Sequence, residues 1–304
     1  MEHHLVGDIP GVDFLVFDKR RGLGTYRELA QQMRGRRFGA LLMMQVAIRA
    51  SAASILIPAQ RRIGFDRARA RDLQWAFSDE QIEARTQQHV LDGLMGFADA
   101  LGAPPAPLRW DIPIPAAAAA RAAELLPGEQ PTLLISPCSS QRSRNFRNWS
   151  AERYAAIADH AAEAHGMRTI ITGGPSALER DYAARIAAMA RCPVIDAVGK
   201  TSVKELFALI ARARVVLCPD SGPAHMATAT GTAVIGLYAG SDPRRTGPYL
   251  AQHSVIDRYP EAALAEFGRP ADDLRWGHRV RDPAVMDRIT VDEVADMLDQ
   301  VLRT

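Results

Sequence analysis

Apolar and polar positions are most legible in the second half of the chain, where short apolar runs alternate with longer amphipathic ones. Thr132 to Pro137 (TLLISP) is apolar along its length and too short for a buried helix, so it reads as a strand. Ser150 is placed to cap a helix through AERYAAIADHAAEAH, with Glu152 in the first turn and Gly166 as the stop. A strand RTIITGG follows, then a helix over about 176–190 and the strand PVIDAV. Ser202 and Glu205 have the spacing of a capping box that opens a helix running to Ala213. VVLCP, a short helix over about 221–230 and the strand AVIGLYA continue the alternation. Strands apolar on both faces and separated by helices predict a parallel sheet covered on both sides, a doubly wound α/β domain.

The first half shows the same alternation with less contrast. DFLVFD, ALLMMQV and RRIGFD are strand candidates, and TYRELAQQMRG and HVLDGLMGFADALG are helix candidates. Residues 102–131 concentrate proline and alanine, which places the inter-domain connection near 125–130. The pattern therefore predicts an N-terminal domain over 1–127 and a C-terminal domain over 128–304. A last helix over 290–303 opens with Thr290 and Glu293 in capping-box spacing. Its apolar stripe of Val291, Val294, Leu298, Val301 and Leu302 must be buried, and it is expected to pack back toward the N-terminal domain.

With 304 residues, 47% of them apolar and 24% charged, the chain is long enough for two core-forming domains, and its composition excludes wholesale disorder. The start of the chain lacks the layout of a secretory signal. Three cysteines, far apart and in no metal-ligand spacing, argue against a disulfide scaffold or a Cys-based zinc site and for a reduced, cytoplasmic setting. The net charge of +2 hides an asymmetry. Residues 19–71 carry 13 Lys/Arg against two acids, and the rest of the chain is net acidic. Such a stretch either meets an anion or forms solvated helix faces. Only Tyr26, Phe38 and Phe65 lie among the arginines, too few for a base-stacking platform, which disfavours nucleic acid as the anion.

The sharpest local chemistry is Cys218-Pro-Asp-Ser-Gly-Pro-Ala-His225, between a strand and a short helix. Asp220 and Ser221 are placed to cap that helix, Gly222 lets a ligand approach the backbone, and Pro223 suits the first turn. A helix N-terminus at the end of a parallel strand is an anion site, toward which His225 would point. A second loop, Ser136-Pro-Cys-Ser-Ser-Gln-Arg-Ser-Arg-Asn-Phe-Arg147-Asn-Trp149, also follows a strand. Its hydroxyls (Ser139, Ser140, Ser143) and cations (Arg142, Arg144, Arg147) match what a diphosphate requires. Thr172-Gly-Gly-Pro-Ser forms a third loop. No segment matches GxxxxGK[ST] or GxGxxG.

In order and spacing, SPCSS…RNW, TGG, GKTSVKEL and PDSGPAHMATATGTAVIGLYAGSDPRRTGPY resemble glycosyltransferase family 9, the bacterial lipopolysaccharide heptosyltransferases. The resemblance spans about 10–255, and D-[ST]-G-P-x-H followed by G-x-[ST]-D-P-x-R-T-G-P-Y is its most specific part. It implies the GT-B architecture: two Rossmann-like doubly wound domains with the active site in the cleft between them. The implied activity is inverting, metal-independent transfer of heptose from ADP-heptose to the Kdo or heptose of the inner core of lipopolysaccharide. It implies no cofactor beyond the substrate ADP-heptose. The partners are the nucleotide sugar, the phosphorylated inner core and an anionic inner-membrane surface on the cytoplasmic side, without nucleic acid.

Carried over by motif, Asp220, Ser221, Gly222, Pro223 and His225 fall on the family's diphosphate- and sugar-binding run. Ser139 and Ser140 fall on its phosphate-contacting loop, Thr201 on its base pocket, and Glu179 near its ribose contacts. Arg147 stands where the family has Lys and would neutralise the departing diphosphate. Arg49, Arg61, Arg67 and Arg71 lie in the region facing the anionic acceptor. The chain is expected to lack the family's first strand and its Gly-Asp loop, whose Asp is the proposed general base. Gly7-Asp8 has different spacing, so no general base is assigned. A nucleotide-sugar-binding homologue with impaired catalysis, or a transferase using another nucleotide sugar, are the alternatives.

Overall fold

In the computed structural model of the chain, residues 2–139 and 146–303 are described. The chain forms two compact units, residues 13–108 and residues 1–12 together with 109–304. A short helix α1 (Glu2–Val6) opens the larger unit. The smaller unit contains α2 (Leu23–Gln32), β1 (Phe38–Leu42), α3 (Ile48–Ser54), β2 (Ala59–Gly64), β3 (Glu80–Gln81) and α4 (Val90–Ala100). Its strands form a parallel sheet in the order β1-β2-β3. Ile63, Ile82 and Phe97 make its buried core, flanked by Leu42, Phe65 and Leu94. The side chain of the fully buried Gln74 fastens the ends of the first two strands. It accepts from Phe65 N–H and donates to the carbonyls of Met43 and Gln45.

The larger unit continues with α5 (Ala116–Leu125), β4 (Thr132–Ile135), α6 (Ala151–His165), β5 (Arg168–Ile171), α7 (Ala177–Met189), β6 (Val194–Asp196) and α8 (Val203–Arg212). After these come β7 (Val215–Pro219), α9 (Gly222–Thr230), β8 (Ala233–Tyr238), α10 (Pro243–Thr246), β9 (Val255–Asp257), α11 (Tyr259–Phe267) and α12 (Val291–Arg303). All six strands are parallel, in the order β6-β5-β4-β7-β8-β9. Alternate strand residues divide between two buried clusters, as a two-residue period requires. Leu133, Ile135, Val215, Leu217, Ile235 and Leu237 face one side, where α6, α7, α11 and α12 pack. Leu134, Val216, Cys218 and Val234 face the other, under α5, α8 and α9.

Three expectations change. DFLVFD forms no strand, and the third strand of the smaller sheet is β3, only two residues long and paired with β2. The proline- and alanine-rich stretch is not a connector throughout, because Ala118 and Ala122 of α5 are buried in the second cluster, on the same face as α8. The division between units consequently falls at 108, not at 127. The stripe of α12 (Val294, Leu298, Val301) is buried against α6 and the sheet of its own unit.

Candidate functional site

The chain builds β4, β5 and β6 outward in one direction, then returns to add β7, β8 and β9 on the other side of β4. Loops leaving the carboxyl ends of β4 and β7 therefore diverge, and a crevice opens at that reversal of strand order. The two sharpest motifs flank it. From the β4 side, Ser139 donates through both its backbone N–H (2.8 Å) and its hydroxyl (3.0 Å) to Asn148 Oδ1, pinning the two ends of the loop together. Ser140, Arg142, Ser143 and Arg144 lie outside the described residues. The loop ends at Trp149, which is wholly buried, donates its indole N–H to the Ile289 carbonyl (3.0 Å) and meets Tyr154 edge to face.

That anchor places Arg147, two residues earlier, over the crevice. Its Nη1 donates to the Asp220 carboxylate (2.6 Å) and to the Asp220 carbonyl (3.0 Å). The same carboxylate oxygen accepts the hydroxyl of Ser241 at 2.8 Å, so one buried carboxylate joins the loops after β4, β7 and β8. Both partners are largely removed from water, with side-chain exposures of 14% for Arg147 and 8% for Asp220. The expected cap is thereby corrected. Ser221 takes the N-cap position of α9 in an extended conformation but makes no side-chain capping bond, and Asp220 is committed to Arg147 and Ser241. A helix start that its own N-cap side chain leaves uncapped presents N–H donors and the positive end of the dipole at the strand's end. A Cβ built on Gly222 would meet nothing within 4 Å, so the approach to that backbone is open. Pro223 occupies the first turn, and His225 is exposed one residue past Ala224.

Glu179 and Thr201 lie at the ends of β5 and β6, on the same edge of the sheet but one and two strands farther out. Glu179 accepts Gly174 N–H (2.7 Å) and the Ser176 hydroxyl (2.5 Å), while its own N–H reaches Ser176 Oγ. A Cβ on Gly173 or Gly174 would stand 3.1 Å from the Glu179 carboxylate, so the glycines leave room for it. Thr201, half-buried, directly precedes the Ser202–Glu205 capping box, which is formed as the spacing predicts.

Sequence reading missed Ser241, although it lies in the quoted G-S-D-P run; its only signal was its position just beyond β8. Asp242 was missed as well. It is buried, caps α10, and holds the guanidinium of Arg244, which also donates to Asp272 and lies over the ring of Trp276. Cys138 and Cys218, which flank the crevice, are both buried. Burial pushes the thiols of Cys138 and Cys218 up to about 12. Asp8 follows α1 and accepts the ammonium of Lys204 at 2.7 Å, a bond that holds its carboxyl below the usual range and weakens it as a base.

In the smaller unit the arginine stretch divides. Arg61 lies within β2 and is spent on Glu80 through two 2.7 Å bonds and on the Ala100 carbonyl. Arg62 donates to the carbonyls of Ser54 and Ile57 at the end of α3, and Arg69 reaches Asp66, Gln88 and the Glu83 carbonyl. Arg49, Arg67 and Arg71 are exposed and follow the carboxyl ends of β1 and β2, with Arg67 stacked 4.2 Å from the Trp75 ring. Part of the charge excess is thus architecture, and Arg61 stands apart from the other three.

Residues 26–274 match the family model described as glycosyltransferase family 9 (heptosyltransferase). The chain belongs to glycosyltransferase family 9. It is 37% identical over 300 residues to the lipopolysaccharide core heptosyltransferase OpsX of Haemophilus influenzae, covering 99% of this chain and 85% of that protein. Lipopolysaccharide heptosyltransferase 3 of Escherichia coli matches over 98 residues at 34% identity, 32% of this chain and 28% of that one. Among solved structures, the family 9 glycosyltransferase of Veillonella parvula superposes with a TM-score of 0.78 at 20% identity, over 99% of this chain and 85% of that one. The E. coli heptosyltransferase WaaC with ADP gives 0.67 at 17% identity, over 94% and 79%. At these identities the structural likeness is one of fold: α/β with parallel sheets, the Rossmann-like pairing of the family 9 enzymes. Arg147, Asp220 and Ser241 lie together in the loops at the β4/β7 reversal.

Proposed function

We propose that this glycosyltransferase moves heptose from ADP-heptose to the inner core of lipopolysaccharide, inverting the anomeric carbon and using no catalytic metal. The observation that carries the reading is the buried Arg147–Asp220–Ser241 junction beside the start of α9, at the switch point of the sheet. The 37% identity to OpsX over nearly the whole chain favours a lipopolysaccharide core acceptor. The ADP named with WaaC favours an adenine nucleotide as the donor carrier. An acceptor hydroxyl attacks the anomeric carbon, a carboxylate takes its proton, and the bond to the diphosphate breaks. Arg147 and the N–H groups at the start of α9 stabilise the charge that develops on the leaving ADP. Ser139, held by Asn148, fixes the loop that borders the phosphates; Thr201 and Glu179 border the base and ribose.

Arg49, Arg67 and Arg71 receive the phosphates of the acceptor and the anionic face of the membrane. Among the described residues no helix is long and apolar enough to cross a membrane. Arg67→Glu with Arg71→Glu should raise KM for a deacylated, phosphorylated inner-core acceptor by roughly tenfold or more, as charge-assisted bonds are worth about 1.5–3 kcal/mol. ADP affinity should stay unchanged, and the product anomer read by NMR should be inverted relative to the donor. An unchanged acceptor KM would remove these arginines from the site, and a retained anomer would contradict the mechanism.

A further inference from the structure

At the opposite edge of the larger unit, α6 ends and β5 begins. There the fold brings together three side chains that the transfer reaction does not use. Asp299 Oδ1 is 2.7 Å from Nε2 of His160 and 2.7 Å from Nε2 of His165. The three ligand atoms lie within 4.8 Å of one another. We propose that His160, His165 and Asp299 form a binding site for a divalent transition-metal ion, with Zn2+ the best chemical match.

The donor set decides the class of ion. Two imidazole nitrogens and one carboxylate oxygen suit Zn2+ and its neighbours, whereas Mg2+ and Ca2+ select oxygen ligands. Geometry supplies the second argument. Ligands about 2.0–2.1 Å from a tetrahedral zinc stand about 3.3 Å apart. The two nitrogen–oxygen separations are 2.7 Å and all three atoms lie within 4.8 Å of one another, so admitting the ion requires the carboxylate to draw back from both rings. Both histidines aim the same ring nitrogen at one oxygen from two positions of a single helix, a convergence that a simple ion pair between helices does not need. Access is available, since the side chains are 26–34% exposed, and a water completes the coordination.

The scaffold is rigid on both sides. His160 and His165 belong to α6, whose inner face (Tyr154, Ile157, Ala158, Ala161) is buried on the sheet. Asp299 belongs to α12, between the buried Leu298 and Val301. An ion held there clips the last helix to the start of the domain across 134 residues of chain. Bound only by the folded protein at 100 times its Kd, it shifts the folded-to-unfolded ratio by about 100-fold.

The test is a titration of the full, chelator-treated protein with Zn2+ by calorimetry, with Co2+ as a spectroscopic stand-in. One ion per chain at micromolar Kd, a raised Tm and Co2+ bands without sulfur charge transfer are expected. His160→Gln, His165→Gln and Asp299→Asn should each weaken binding at least about tenfold, while Cys192→Ser, at the remaining cysteine of the chain and a half-buried one, leaves it unchanged. Far-ultraviolet circular dichroism checks that each variant is folded, and the wild-type titration stands even where a variant is not. Absence of saturable one-to-one binding below about 1 mM, binding undiminished in a folded His160→Gln/His165→Gln variant, or loss with Cys192→Ser would each overturn the assignment.

Discussion

Arg147 is the residue on which the site turns, because its guanidinium and the Asp220 carboxylate are both nearly withdrawn from water. A buried pair of this kind is weak evidence of net stabilisation, yet removing one member leaves an uncompensated charge. Arg147→Ala and Asp220→Ala should therefore each destabilise the protein by about 3 kcal/mol in urea unfolding, and the double variant should cost far less than their sum. Additive losses would mean that the two do not depend on each other. Motif position gave Arg147 and Asp220 from sequence, but not their pairing, since a separation of 73 positions leaves no local trace of it. Arg61 shows the opposite limit. Its charge was legible, while Glu80, which neutralises it, becomes its neighbour only when β2 pairs with β3.

At the scale of elements, helix boundaries in the larger unit were readable to about one residue wherever a cap is local. Ser150, Ser176 and Ser202 accept the N–H three residues on, and Gly166 takes the left-handed conformation that stops α6. In the box that opens α8, Ser202 N–H also donates to Glu205 (2.6 Å). Backbone and hydroxyl bonds from Ser202 hold the Glu205 carboxyl below its ordinary value of 4.5. A lowered carboxylate contributes stability that is present above the unfolded value and lost as pH falls through the folded one. Glu205→Gln should thus lower stability at pH 7 by up to about 1 kcal/mol. The gap to wild type should close as pH falls below 4.5, measured by urea midpoints across pH. A gap that persisted at pH 3 would remove the charge from the explanation. Elements without such signals were lost: β3 has two residues and β9 three, too few for a period, and alanine-rich α5 offers little apolar contrast.

Across the whole molecule, each unit carries its own parallel sheet and core, and their chemistry differs. The larger unit encloses its sheet between two buried clusters and joins Arg147, Asp220 and Ser241 where its strand order reverses. The smaller unit rests on a small cluster of Ile63, Ile82 and Phe97 and displays Arg49, Arg67 and Arg71 after its strands. A doubly covered sheet was legible from sequence because its strands are apolar on both faces. The smaller sheet was only partly so, because burial there is incomplete and its pattern is weak. The central claim is that the crevice at the β4/β7 reversal binds ADP-heptose and releases ADP when an acceptor attacks. It is tested most directly by following ADP release from ADP-heptose with and without a deacylated inner-core acceptor, for the wild type and Arg147→Ala. Release that requires the acceptor and falls with the variant, in parallel with ADP affinity, is the expected result. Absence of both ADP binding and release by the folded wild type would contradict the account.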